Sequence, residues 1–134
     1  MEIAHIATFD TSLPDDVTEK ADETITPGGS TLGESIAAEL RDRGLSISIV
    51  QQRGDTGWGF FGSSNGVSFW CLLGYEDPWV LIVVDRRWLL KRLFGGTQPF
   101  LAVLRQFDEA MSSLEHITEL HWITPSEYEY SRAD

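Results

Sequence analysis

Four cations fall within seven residues of an otherwise acidic chain: Arg86, Arg87, Lys91 and Arg92. Such a cluster could grip an anionic ligand or a partner's acidic patch. It could equally pair with the chain's own Asp15, Asp16, Glu19, Asp22 and Glu23, or form a solvated helix face. Carboxylates form the second set with chemical potential. Asp55, Glu76, Asp77 and Asp85 fall at or near the ends of expected strands in an aromatic sheet. General acid–base chemistry would need one of them buried with a raised pKa. Turn chemistry places Asp at such positions unaided, so no catalytic residue is assigned.

Other motifs fail on the chemistry they would have to perform. Gly28 to Ser35, GGSTLGES, has the glycine spacing of a phosphate-binding loop, but Glu34 stands where the phosphate-reaching lysine is required. His5, His116 and His121 form no HExxH. His116 and His121, five apart on or near one strand, point to opposite faces, so neither a metal nor a cofactor is expected. A Ser-His-Asp set can be scattered along a chain, yet no G-x-S-x-G elbow locates a nucleophile. The single cysteine, Cys71, lies in an apolar strand and reads as a core residue rather than half of a disulfide or redox pair.

The aromatic residues carry the strongest pattern. Asn65-Gly66 is the favoured dipeptide of a two-residue type I′ hairpin, because both positions need positive φ. Pairing Ser64 with Val67 then sets Phe61 opposite Trp70, Phe60 opposite Cys71, Gly59 opposite Leu72 and Trp58 opposite Leu73. Trp58, Phe60, Phe69, Cys71 and Leu73 share one side. Gly57, Gly59, Phe61, Trp70 and Leu72 share the other, where the glycines would let something approach the backbone. Helices covering one side would leave the second free for a partner, unless the N-terminal segment or RRWLLKRLF folds over it. The candidate partner-binding residues are Trp58, Phe61, Trp70 and Leu72, with Asp55 and Asp77 on an acidic rim.

These residues must be positioned by a small set of elements. STLGESIAAELRDRG reads as a helix, with Thr31 and Glu34 as a capping box and Gly44 as its stop. LSISIVQQ, residues 45–52, alternates like a strand; the hairpin supplies two more; WVLIVV, apolar throughout, reads as the sheet centre. RRWLLKRLF predicts a short amphipathic helix. Residues 98–113 predict a core helix with Thr97 as cap and Phe100, Val103, Leu104, Phe107, Met111 and Leu114 on one stripe. ITELHWIT is a last strand. The expected fold is a single α+β domain, order α-β-β-β-β-α-β, with a mainly antiparallel sheet of about five strands and two main helices. Residues 26–124 form its compact part. Residues 1–25 are expected as an acidic, loosely packed lead-in with a short strand, and 125–134 as a polar tail.

Composition narrows the partners. The 134-residue chain has 21 acidic against 10 basic residues, a formal net charge of −11, which disfavours nucleic acid and anionic membranes and favours a basic protein. The acidity is concentrated in residues 1–40, where nine acids face one lysine. No signal peptide and no apolar run of ~18 residues is visible, so a cytosolic protein is expected.

The T-P-G-G that precedes L-G-x-x-I-A-x-x-L, the D-x-G-W before the hairpin and the D-P-W strand together resemble small bacterial proteins of one acidic α+β domain. In size and charge the chain is similar to immunity proteins, which neutralise toxins of neighbouring cells. That resemblance implies a non-catalytic module occluding a basic partner and transfers no individual site residue. Two alternatives remain open: a small enzyme or binding domain holding an anion through Arg86 or Arg87, and a structural homodimer.

Overall fold

The computed structural model describes residues 2–13, 18–20, 23–26, 28–54, 57–74, 78–87 and 93–132. Its frame is the hairpin of β6 (Gly57–Ser64) and β7 (Val67–Gly74), turned at Asn65 and Gly66 with φ of 49° and 82°. The register runs from Ser64↔Val67 through Phe61↔Trp70 and Phe60↔Cys71 to Trp58↔Leu73, as the turn demands. β8 (Trp79–Asp85) pairs antiparallel with β7, setting Val83 beside Cys71 and Leu81 beside Leu73. Its unbroken apolar run fits an interior position, and Leu81 and Val83 are fully buried.

The chain is α+β with an antiparallel sheet, but of seven strands among the described residues rather than about five. Two causes account for the difference. β1 (Ile6–Thr11) lies inside the sheet between β8 and β9 (Ile117–Ile123). Part of the expected lead-in is therefore core, because the alternation in IATF sends Ala7 and Phe9 inward, where both are fully buried. The expected strand at 45–52 is also split into β4 (Ser46–Ile47) and β5 (Gln51–Arg53), both paired with β6. Ser48 makes the break: its N–H donates to Phe61 O, while its Oγ accepts the Phe61 N–H. A hydroxyl thus replaces a ladder carbonyl, and Val50 turns toward Gly33. Farther upstream, β2 (Thr18–Lys20) and β3 (Glu23–Thr26) pair with each other.

Helices α1 (Ser30–Asp42) and α2 (Gln98–Ser113) pack on each other and on one sheet face. Leu32, Ile36 and Leu40 from α1 and Phe100, Val103, Phe107 and Met111 from α2 meet Phe60, Phe69 and Cys71 in the core. The Thr31–Glu34 box is not how α1 begins. Its cap is Gly29 at φ 119°, without a side-chain cap bond, and a Cβ there would crowd Trp79 at 3.1 Å. Gly44 at φ 95° closes α1 as expected, with Gly44 N–H on Arg41 O and Leu45 N–H on Leu40 O. Thr97 is the α2 cap position, also without a side-chain bond. Residues 93–95 are helical, and the rest of the expected RRWLLKRLF helix reaches into 88–92, outside the described residues. Where a polar tail was expected, α3 (Pro125–Arg132) forms.

Candidate functional site

With both main helices on one face, the opposite face presents a row across three strands: Phe61 of β6, Trp70 of β7 and Val84 of β8. Phe61 is 36% and Val84 38% exposed, and Trp70 is half-buried between them. The Phe61 and Trp70 rings lie 4.6 Å apart and are tilted by 40°. Two arginines flank them. The Arg53 guanidinium sits 4.4 Å from the Trp70 ring centre and 5.3 Å from that of Phe61, and Arg86 lies 4.6 Å from Phe61.

Local structure explains both placements. Arg53 is the last residue of β5, opposite Gly57, which sets it at the edge of the sheet beside the ring pair. Arg86 follows β8 directly and its N–H donates to Ser68 O at 2.8 Å, which holds the segment against β7. Each cation over an aromatic face is worth about 0.5–1 kcal/mol at an exposed site. The result is an amphipathic surface: apolar ring faces that gain from being covered, with the Arg86 guanidinium beside them able to meet a carboxylate or carbonyl oxygen.

The expected site is rearranged in several respects. Trp58 belongs to the helix side, paired with Leu73 and lying near Gly29, because strand alternation sends it opposite to Phe61. Leu72 stands on the outer face one row from Trp70 and is half-buried. Farther across that face Ile6 and Val80 are only 4% and 5% exposed, so the open part is confined to the Phe61 end. The glycines do not leave an approach to the backbone there. A Cβ on Gly59 would fall 2.5 Å from Trp70 Cη2, so the protein's own indole fills that space. Asp55 and Asp77 lie outside the described residues; the flanking charges that are described are cationic. Arg53 and Val84 were missed. Val84 was hidden in a run read as covered on both sides, and Arg53 gave no signal until the strand broke after Ile47.

Arg86 and Arg87 diverge sharply. Arg87 is 8% exposed and turned inward, its Nη2 2.7 Å from Asp85 Oδ2 and its Nε within 3.0 and 3.2 Å of the two Asp85 oxygens. Nη2 also donates to Gly96 O at 2.9 Å. The hydrogen bond to Asp85 raises the Arg87 pKa further above its already high value. Asp85 is thus the counterion of a buried arginine, which explains its place at the strand end without acid–base chemistry. Lys91 and Arg92 lie outside the described residues, so a four-cation anion grip is not assembled from those that are described.

Two of the three histidines are tied into structure. His5 Nδ1–H donates to Val83 O at 2.7 Å, while His116 Nε2 is 2.9 Å from Ser35 Oγ and joins α1 to the start of β9. His121 is exposed. Among the described residues no three His, Cys, Asp or Glu side chains gather as metal ligands, and no helix is long and apolar enough to cross a membrane. No family model, curated protein or solved structure matches this chain.

Proposed function

We propose that the chain is a non-catalytic protein-binding module of the immunity or inhibitor type, which occludes a partner surface with the outer sheet face. The observation that carries this reading is the Arg53–Trp70–Phe61–Arg86 array. Aromatics and arginine are the residue types that anchor interfaces, because they bury large area at low entropy cost and still offer donors. The net charge of −11 draws an overall basic protein at long range. At contact, the Arg86 guanidinium selects a spot on that protein with an exposed carboxylate or carbonyl, while Arg53 backs the rings. Pairing this face with its own copy would bring two Arg86 guanidiniums into one interface, which argues for a different partner over a homodimer.

The test is affinity capture from the source cell and its close competitors, comparing wild type with the Phe61→Ala/Trp70→Ala variant, followed by titration of the purified retained protein. A central anchor costs about 2 kcal/mol or more, mostly in dissociation rate. Wild-type affinity in a double variant whose thermal unfolding shows it folded would remove this face from the reading.

A further inference from the structure

Arg87 also borders a second site, on the helix side of the sheet and independent of the aromatic face. A guanidinium has five N–H donors. At Arg87 the Nε–H and both Nη2 hydrogens go to Asp85 and to Gly96 O. The two on Nη1 meet no acceptor among the described residues, although the side chain is only 5% exposed. Nη1 is not one of the fully buried unpartnered atoms among the described residues, so its donor pair opens toward solvent and can take an acceptor from water or a ligand.

The surroundings favour a ligand. Nη1 would lie 3.2 Å from a Cβ built on Gly95. Arg87 and Gly95 border a cleft of about 410 Å³, within the range of small-molecule sites, between the Asn65–Gly66 turn and Pro99 at the start of α2. Its apolar walls are Val67, Pro99 and Phe94, the last 88% exposed with most of its ring area still to be covered. No carboxylate lines it among the described residues, since Asp85 turns both oxygens to the other side of Arg87.

We propose that this cleft binds a small monocarboxylate with an aromatic or branched apolar body. One carboxylate oxygen takes the Nη1 donors, and the body packs over Phe94 and Pro99. Asp85 already balances the Arg87 charge, so affinity rests on a charge-assisted hydrogen bond and apolar cover, and a fragment-sized acid binds on the order of millimolar.

The test uses the full ¹⁵N-labelled chain titrated by NMR with benzoate, benzamide and inorganic phosphate. Benzoate is expected to give saturable shifts at the Gly66 and Gly95 amides and at Arg87 Nε–H. Gly95→Ala sets a methyl against Nη1, and Gly95 has no positive φ to make alanine strained, so the variant keeps its fold and binds benzoate about tenfold or more weakly. Phe61→Ala/Trp70→Ala should bind benzoate as wild type does, which separates this site from the protein interface. Absence of saturable shifts overturns the proposal, as does unchanged affinity in Gly95→Ala. Benzamide binding as tightly as benzoate removes the anion requirement, and phosphate matching benzoate removes the apolar body; either result also overturns it.

Discussion

A single absent carbon at Gly59 determines where an indole lies. A methyl there would meet Trp70 Cη2 at 2.5 Å and Cys71 O at 2.8 Å, and the backbone oxygen cannot yield. Gly59→Ala is therefore expected to cost about 1–3 kcal/mol, the range for overpacking, measured by urea denaturation. It should also swing Trp70 off Phe61 and Arg53, seen as a shift in tryptophan emission, with partner affinity falling alongside. An unchanged spectrum would mean that the indole does not depend on this glycine. On the inner face Cys71 is fully buried, and burial pushes its thiol pKa well above the ordinary value. The sign follows directly: below about pH 8.5 both folded and unfolded chains hold the proton, while above it the unfolded chain releases it first. Stability should then fall with rising pH by up to about 1.4 kcal/mol per unit until the folded thiol titrates. Cys71→Ser or Cys71→Ala should remove that alkaline slope in chemical denaturation at pH 8 to 10.

Among the elements, α3 shows how a legible signal can be passed over. Thr124-Pro125-Ser126-Glu127 is a capping box with proline at the first helical position, and the structure forms both halves of it. Thr124 N–H donates to Glu127 Oε1 at 3.0 Å, and Glu127 N–H donates to Thr124 Oγ1 at 3.3 Å. The polarity of the residues that follow suggested a tail instead. The backbone bond from Thr124, then its hydroxyl, hold the Glu127 pKa below the ordinary carboxylate value. A depressed folded pKa means that the helix start is supported above about pH 4.3 and loses that support as pH falls through the lower folded value. Amide exchange at Thr124 should accelerate over that acid window, and Glu127→Gln should abolish the pH dependence while fraying the helix at neutral pH. The hairpin, by contrast, was fully legible, since Asn65-Gly66 permits one turn and the turn permits one register. The strand at 45–52 was not, because its break depends on Ser48 finding Phe61, a contact thirteen residues away.

For the molecule as a whole, local pattern predicted the class and several of the elements, while adjacency was set by long-range choices. β1 reads weakly on its own and becomes an interior strand only because β8 and β9 offer it two edges. The outer sheet face inherits that limit. Alternation placed Phe61 and Trp70 together, but the charge beside them comes from Arg53 and Arg86, which different strands deliver. The chain is thus acidic in total and, among the described residues, cationic beside the exposed rings, and under the proposed role the two scales separate in kinetics. Long-range attraction to a basic partner is screened beyond a Debye length of about 8 Å at physiological salt, whereas the ring-and-guanidinium contact is short-ranged. Raising salt from about 20 to 500 mM should lower the association rate of the captured partner by roughly tenfold or more and leave its dissociation rate nearly unchanged. Phe61→Ala/Trp70→Ala should do the reverse, raising the dissociation rate while keeping the salt dependence of association. Stopped-flow mixing over a salt series distinguishes them. A salt-independent association rate would show that the net charge plays no part in finding the partner, and a faster association at high salt would mean that the partner is itself acidic, selected by the arginines alone.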